Sequence, residues 1–217
     1  MNKRQTIESS LEAGIVAVVR IDTSKQLLQV AKRISVGGIS CIEITMTTPG
    51  ALQAIEEAKG KLDGVVIGAG TVLDASTARL TILAGAQFLV TPTVALDVIE
   101  MAHRYGKVVI AGAMTPTEIL TAWEAGADMV KVFPANVLGP GYLKAVHGPL
   151  PQIPLVPTGG ITADNAGEFI KAGAAVICAG SWLVDKKTIT EERYEILTER
   201  ARELVDAVSK ARGEIAR

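Results

Sequence analysis

Cysteine is nearly absent from this chain: 2 in 217 residues, with Cys41 and Cys178 both inside apolar runs. That placement predicts small buried thiols rather than a disulfide framework. Histidine is equally scarce, at 2 residues. His103 falls in the helical stretch Leu96–Tyr105 and His147 follows the sixth helical segment, neither with a second ligand at metal spacing. Both read as structural or surface residues, and no metal site is expected. An excess of one charge is lacking too: 22 Lys and Arg against 23 Asp and Glu leave a net charge of −1. Nucleic-acid binders normally carry a basic excess or a clustered basic face, so that class is set aside. No apolar run approaches the roughly 18 residues of a membrane span. Met1–Arg4 is basic, but no apolar segment follows it to make a secretory signal. What remains is a soluble chain, expected in the cytoplasm, with 48% hydrophobic residues. A chain of this length can bury roughly 70% of its unfolded surface in one core.

What the chain does have is alternation. Short aliphatic runs occur at Ile15–Val19, Cys41–Thr45, Val65–Ala69, Phe88–Thr91, Val108–Ala111, Met129–Phe133, Leu155–Thr158 and Val176–Ala179. Amphipathic stretches at helical spacing separate them, which implies βαβ units and a parallel sheet. Gly37-Gly38, Ala84-Gly85-Ala86, Ala125-Gly126-Ala127 and Ala172-Gly173-Ala174 each end a helical stretch shortly before a strand. Glycine there suits a left-handed helix cap. Thr115-Pro116-Thr117-Glu118 reads as a capping box with proline at the first helical position. Thr48-Pro49 is expected to open another helix in the same way. Eight such units suggest a (β/α)8 barrel as one domain over residues 1–217. A doubly wound sheet would more often carry GxGxxG after its first strand, where this chain has Val19-Arg20-Ile21-Asp22. Helices are also expected at the ends, over Lys3–Gly14 and Glu191–Arg217. Trp123 reads as helix core and Trp182 as packing after the last strand.

Two strands carry a charge. In Cys41-Ile42-Glu43-Ile44-Thr45 and Met129-Val130-Lys131-Val132-Phe133 the branched residues alternate with Glu43 and Lys131. Period-two geometry turns the aliphatics to the helices and both charges to the barrel interior. One reading is a structural ion pair filling the interior. The other is chemical: desolvation favours a neutral lysine, the nucleophile that forms a Schiff base with a carbonyl substrate. A carboxylate in the same pocket can then move the protons of dehydration and carbon–carbon cleavage.

The strand ends add an anion site. Thr158-Gly159-Gly160-Ile161 follows the seventh strand and Ala179-Gly180-Ser181 the eighth. Loops at these positions bind phosphate in many barrels, through backbone N–H groups and a helix N-terminus. Glycine allows close approach and Ser181 adds a hydroxyl donor; tight βα turns are the simpler reading of the same glycines. Arg20 shares the parity of Val16 and Val18 and so points to the barrel mouth, either to hold an anion or to pair with Glu43. Thr71 offers a hydroxyl for a carboxylate, although threonine also caps helices. Pro92 is a rigid turn or a pocket wall.

The chain resembles the 2-keto-3-deoxy-6-phosphogluconate (KDPG) aldolase family, class I aldolases that include the 4-hydroxy-2-oxoglutarate (KHG) aldolases. The resemblance runs from about Ile7 to Val184. It rests on Glu43-Ile44-Thr45, Gly68-Ala69-Gly70-Thr71-Val72, Gly112-Ala113-Met114-Thr115-Pro116-Thr117-Glu118, Lys131-Val132-Phe133-Pro134-Ala135, Pro157-Thr158-Gly159-Gly160-Ile161 and Gly180-Ser181. It implies a (β/α)8 barrel, a homotrimer without metal or organic cofactor, acting on 2-keto-3-deoxy sugar acid phosphates and pyruvate. Lys131 then matches the Schiff-base lysine and Glu43 the general acid/base. Thr71 and Arg20 match positions near the pyruvyl carboxylate. Phe133, Pro92 and Thr158 match pocket walls, and Gly159, Gly160, Gly180 and Ser181 the phosphate loops. Two positions depart from the common pattern. Thr47 stands where many members have an arginine, which leaves more of the anion binding to Arg20, and Ala111-Gly112-Ala113 replaces a frequent proline–glycine. Other readings are the galactonate epimer or unphosphorylated 4-hydroxy-2-oxoglutarate as substrate, a phosphate-binding isomerase or epimerase barrel, and a non-catalytic phosphosugar-binding scaffold.

Overall fold

In a computed structural model, which describes residues 1–215, eight parallel strands alternate with helices around a barrel. The strands are β1 (Ile15–Val19), β2 (Cys41–Thr45), β3 (Val66–Gly70), β4 (Phe88–Val90), β5 (Val108–Ala113), β6 (Met129–Val132), β7 (Leu155–Pro157) and β8 (Ile177–Ala179). The helices are α1 (Lys3–Ala13), α2 (Leu27–Val36), α3 (Ala51–Lys61), α4 (Ala75–Leu83), α5 (Leu96–Arg104), α6 (Pro116–Glu124), α7 (Ala135–His147), α8 (Ala163–Lys171), α9 (Lys186–Thr190) and α10 (Tyr194–Ile215). Hydrogen-bonded neighbours run from β7 down to β1 and on to β8. Between β7 and β8 the ring closes through bridges Leu155–Ala174 and Thr158–Cys178 and the bond from Ala175 N–H to Leu155 O, 3.0 Å. All eight expected strands form; β1 and β2 have the expected ends, and the other six have an end that moves by one or two residues.

Strand parity divides the apolar residues into two sets. Val16, Cys41, Val66, Phe88, Val90, Val108, Ile110, Met129, Val156, Val176 and Cys178 form a cluster inside the barrel. Their chain neighbours Ile15, Ala17, Ile42, Ile44, Ile67, Leu89, Val109, Val130 and Ile177 join the larger cluster under the helices. Glu43 and Lys131 have the inward parity of Cys41 and Met129, as alternation requires. At the carboxyl end of the strands the inward positions are small: Gly70 on β3 and Gly112 on β5. The Glu43 carboxyl and the Thr91–Pro92 backbone take the space those glycines leave, while α1 covers the lower end, with Ile7 and Ala13 against the interior cluster and Lys3 paired to Asp128 at 2.9 Å.

The expected junctions form. Gly38, Gly85, Gly126 and Gly173 all have positive φ, and Thr115 and Glu118 make the reciprocal capping box of α6. Thr48-Pro49 is a correction. The helix there starts at Ala51 behind Gly50 in the left-handed region, and Thr48 is instead buried, its Oγ1 accepting from Ile21 N–H at 3.3 Å. The expected C-terminal helix forms but starts at Tyr194 rather than Glu191, behind the separate short helix α9. Glu192 has φ +54° between α9 and α10, and the expected end of α10 at Arg217 lies outside the described residues. His103 is exposed, with Nε2 2.7 Å from Gly126 O, and His147 ends α7. Trp123 and Trp182 are half-buried against the core. No helix among the described residues is long and apolar enough to cross a membrane.

Candidate active site

Lys131 stands on β6 with inward parity near the carboxyl end of the barrel and is 7% exposed. Glu43 rises from β2 and is 1% exposed. No nitrogen of Lys131 or Arg20 lies within 4.0 Å of a Glu43 oxygen, so the interior ion pair does not form, nor does the Arg20–Glu43 pair. Glu43 Oε2 has no hydrogen-bond partner among the described residues. Burial raises the Glu43 carboxyl above the usual glutamate range, and the charges of Lys131 and Arg20 pull partly against that rise. A buried carboxyl with a free oxygen and a raised pKa is suited to carry a proton both ways. The Lys131 amine stands 5.1 Å from the centre of the Phe133 ring, which forms one wall beside it.

Above Lys131 lies a cavity of about 290 Å³. Its walls include Arg20, Thr71, Pro92, Lys131, Phe133, Thr158, Gly159, Gly160, Gly180 and Ser181. Ten of the eleven candidate site residues thus line one cavity; the eleventh, Glu43, is not among its walls and sets its carboxyl against Gly70, next to the lining residue Thr71. Val18, Ile161 and Val184 complete the walls and were not singled out. Val18 has the parity of Arg20 and was within reach of the alternation argument. Val184 follows an irregular turn and gives no sequence signal.

Each wall residue has a local cause. Gly159 and Gly160 adopt φ +102° and +68° after β7, and the Asn165 amide donates to Gly160 O at 2.8 Å, fixing that peptide before α8. The N–H groups of Gly159, Gly160 and Ser181 donate to no protein acceptor among the described residues. Three unspent donors around two βα turns form a concavity suited to an anion. Thr71 has φ +55°, the left-handed region that a β-branched residue rarely adopts. Pro92 is held by Thr91, whose Oγ1 accepts from Gly112 N–H at 3.0 Å and donates to Thr93 O at 2.6 Å. Thr47, in the position of the common arginine, is exposed and its Oγ1 lies 3.0 Å from Thr45 Oγ1. Arg20 is thus the one guanidinium among the wall residues. No group of three metal-ligating side chains occurs among the described residues.

The family model for KDPG and KHG aldolase matches residues 7–199. The chain belongs to this aldolase family. It is 32% identical over 206 residues to 2-dehydro-3-deoxy-phosphogluconate aldolase of Haemophilus influenzae, covering 94% of this chain and 97% of that one. It is 36% identical over 173 residues to 2-dehydro-3-deoxy-6-phosphogalactonate aldolase of Escherichia coli, covering 78% and 82%. Among solved structures, KDPG aldolase of Legionella pneumophila superposes with a TM-score of 0.85 at 28% identity, over 92% of this chain and 98% of that one. In that aldolase, pyruvate was captured as a covalent carbinolamine.

Proposed function

We propose that this chain is a class I aldolase, a lyase that reversibly cleaves 2-dehydro-3-deoxy-6-phosphogluconate to pyruvate and glyceraldehyde 3-phosphate. The observation that carries the reading is the pairing of an unbridged, buried Lys131 amine with a buried Glu43 whose Oε2 is free. The Lys131 amine attacks C2 of the keto acid, and the carbinolamine hydroxyl leaves as water with a proton from Glu43. The resulting iminium is an electron sink. Glu43, now a carboxylate, takes the C4 hydroxyl proton, the C3–C4 bond breaks, and glyceraldehyde 3-phosphate leaves. Its electron pair remains as an enamine, which Glu43 reprotonates at C3. Water then returns to C2 and releases pyruvate and Lys131.

Arg20 and Thr71 hold the pyruvyl carboxylate in this reading. Phe133, Pro92 and Thr158 enclose the imine, and Gly159, Gly160, Gly180 and Ser181 bind the 6-phosphate. The expected assembly is a homotrimer in the cytoplasm. Leu73, Leu80, Leu83 and Leu96 support a subunit contact, each more than half exposed on or beside α4 and the start of α5. The family also includes KHG aldolases, and cleavage of 4-hydroxy-2-oxoglutarate to pyruvate and glyoxylate uses the same amine without the phosphate donors. A second reading, the galactonate epimer, is supported by the 36% identity to the Escherichia coli enzyme.

Borohydride reduction in the presence of pyruvate tests the chemistry. A reduced pyruvyl adduct on Lys131, located by peptide mass mapping, is the expected result. A folded sample that gains no adduct returns the chain to a binding or scaffold role. Steady-state kinetics with both purified epimers then decide the substrate.

A further inference from the structure

The family match ends at residue 199, and the next residue on α10 reaches back to the anion-binding side of the cavity. Arg200 Nη1 donates to Asp185 Oδ2 at 2.5 Å. The same guanidinium stands 5.8 Å from the centre of the Trp182 ring. Trp182 and Asp185 bracket the turn that leaves β8. Just before it, Gly180 and Ser181 line the cavity, and within it Val184 donates its N–H to Gly180 O at 2.8 Å. Asp185 is itself fixed by Thr188, accepting from its N–H at 2.9 Å and its hydroxyl at 2.6 Å.

A second ion pair, Lys186 with Asp22 at 2.6 Å, ties the same region to the loop after β1. The two are not equivalent. Lys186 and Asp22 are 82% and 77% exposed, where water competes for both charges. Arg200 and Asp185 are 26% and 32% exposed, the carboxylate has two further donors, and the guanidinium lies near an aromatic ring. The better-shielded grip belongs to Arg200. Backbone donors bind an anion well only when the surrounding packing holds them at the productive angle, and the Gly180–Ser181 turn has little side-chain mass of its own to do so.

We propose that Arg200 is a positioning residue: by clamping Trp182 and Asp185 together it aims the Ser181 N–H and hydroxyl at the phosphate of the substrate. The proposal rests on the phosphate reading of that turn. Arg200 is not among the residues that line the cavity.

The test compares the full-length chain with Arg200→Ala, Arg200→Lys and Trp182→Leu. Three readouts are needed: KM and kcat for the phosphorylated aldol, inhibition by inorganic phosphate, and the rate of pyruvate-dependent borohydride inactivation, which involves no phosphate. Arg200→Ala should raise KM and the phosphate inhibition constant about tenfold, as expected when donors are misplaced by a fraction of an ångström. Its kcat and its inactivation rate with pyruvate should stay within about twofold. Lysine keeps the charge but loses the planar fork, so Arg200→Lys should fall between. Trp182→Leu should shift the same two constants, and it supplies the test should Arg200→Ala fail to fold. Unchanged KM and phosphate inhibition, or a parallel loss of pyruvate trapping that marks general loosening, overturns the proposal. A wild-type chain that traps no pyruvate, or that inorganic phosphate does not inhibit, overturns instead the functional reading beneath it, and the proposal with it.

Discussion

Glu43 lies so close to Gly70 that a Cβ at position 70 would fall 1.7 Å from its Oε1. The carboxyl therefore occupies the space that a side chain on β3 would take. Gly70→Ala should push Glu43 off its position and lower kcat at least tenfold, at a stability cost of about 1–3 kcal/mol for overpacking. Turnover and thermal melts on the same sample check this. Wild-type kcat in the variant would show that the position of Glu43 is not critical.

Lys131→Ala should abolish turnover and the borohydride adduct while leaving the circular dichroism spectrum intact. Glu43→Gln should keep the amine but lose proton transfer, with kcat falling about 10²–10⁴-fold. Burial raises the Glu43 carboxyl above 4.5, so the wild-type pH–rate profile should carry an ionisation above that value. In Glu43→Gln this ionisation should vanish. Its persistence would assign it to another group.

Thr71 adopts φ +55°, where a β-branched side chain crowds its own backbone. Asparagine tolerates that conformation better. Thr71→Asn should therefore stabilise the chain by about 1 kcal/mol, a rise of about 2–4 °C in Tm. It should also raise KM several-fold by replacing the hydroxyl at the carboxylate site. A fall in Tm would show that the threonine conformation carries no strain.

Burial, reinforced by the charge of Glu43, pushes the Cys178 thiol up to about 12. In the unfolded chain the same thiol ionises near 9.0. Between those values the unfolded chain releases a proton that the folded chain retains, so stability falls as pH rises. Urea midpoints measured from pH 8 to 11 should decline, and less steeply in Cys178→Ala. At pH 8 the native thiol should resist alkylation until urea is added. Reaction at the rate of a free thiol would contradict its burial.

Much of this protein was legible in its sequence because strand parity is a local property. Ile42 and Ile44 beside Glu43, and Val130 and Val132 beside Lys131, fix which side chains face the barrel wherever the strands later pair. The left-handed junction glycines and the Thr115–Glu118 capping box are local as well, each satisfied within a few residues. Thr48-Pro49 misled because a threonine–proline pair suits a turn as readily as a helix start. The choice was made by burial of the Thr48 hydroxyl against Ile21, 27 residues away along the chain.

The sequence alone thus determined the repeat, the inward direction of Lys131 and Glu43, and the residues at the strand ends. Only the tertiary structure decided that Lys131 and Glu43 do not join in an ion pair, that Gly70 makes room for the carboxyl, and that Arg200 grips the turn after β8. These depend on distances between strands and helices far apart in the chain. Barrel closure sets those distances, and no local pattern of residues encodes them.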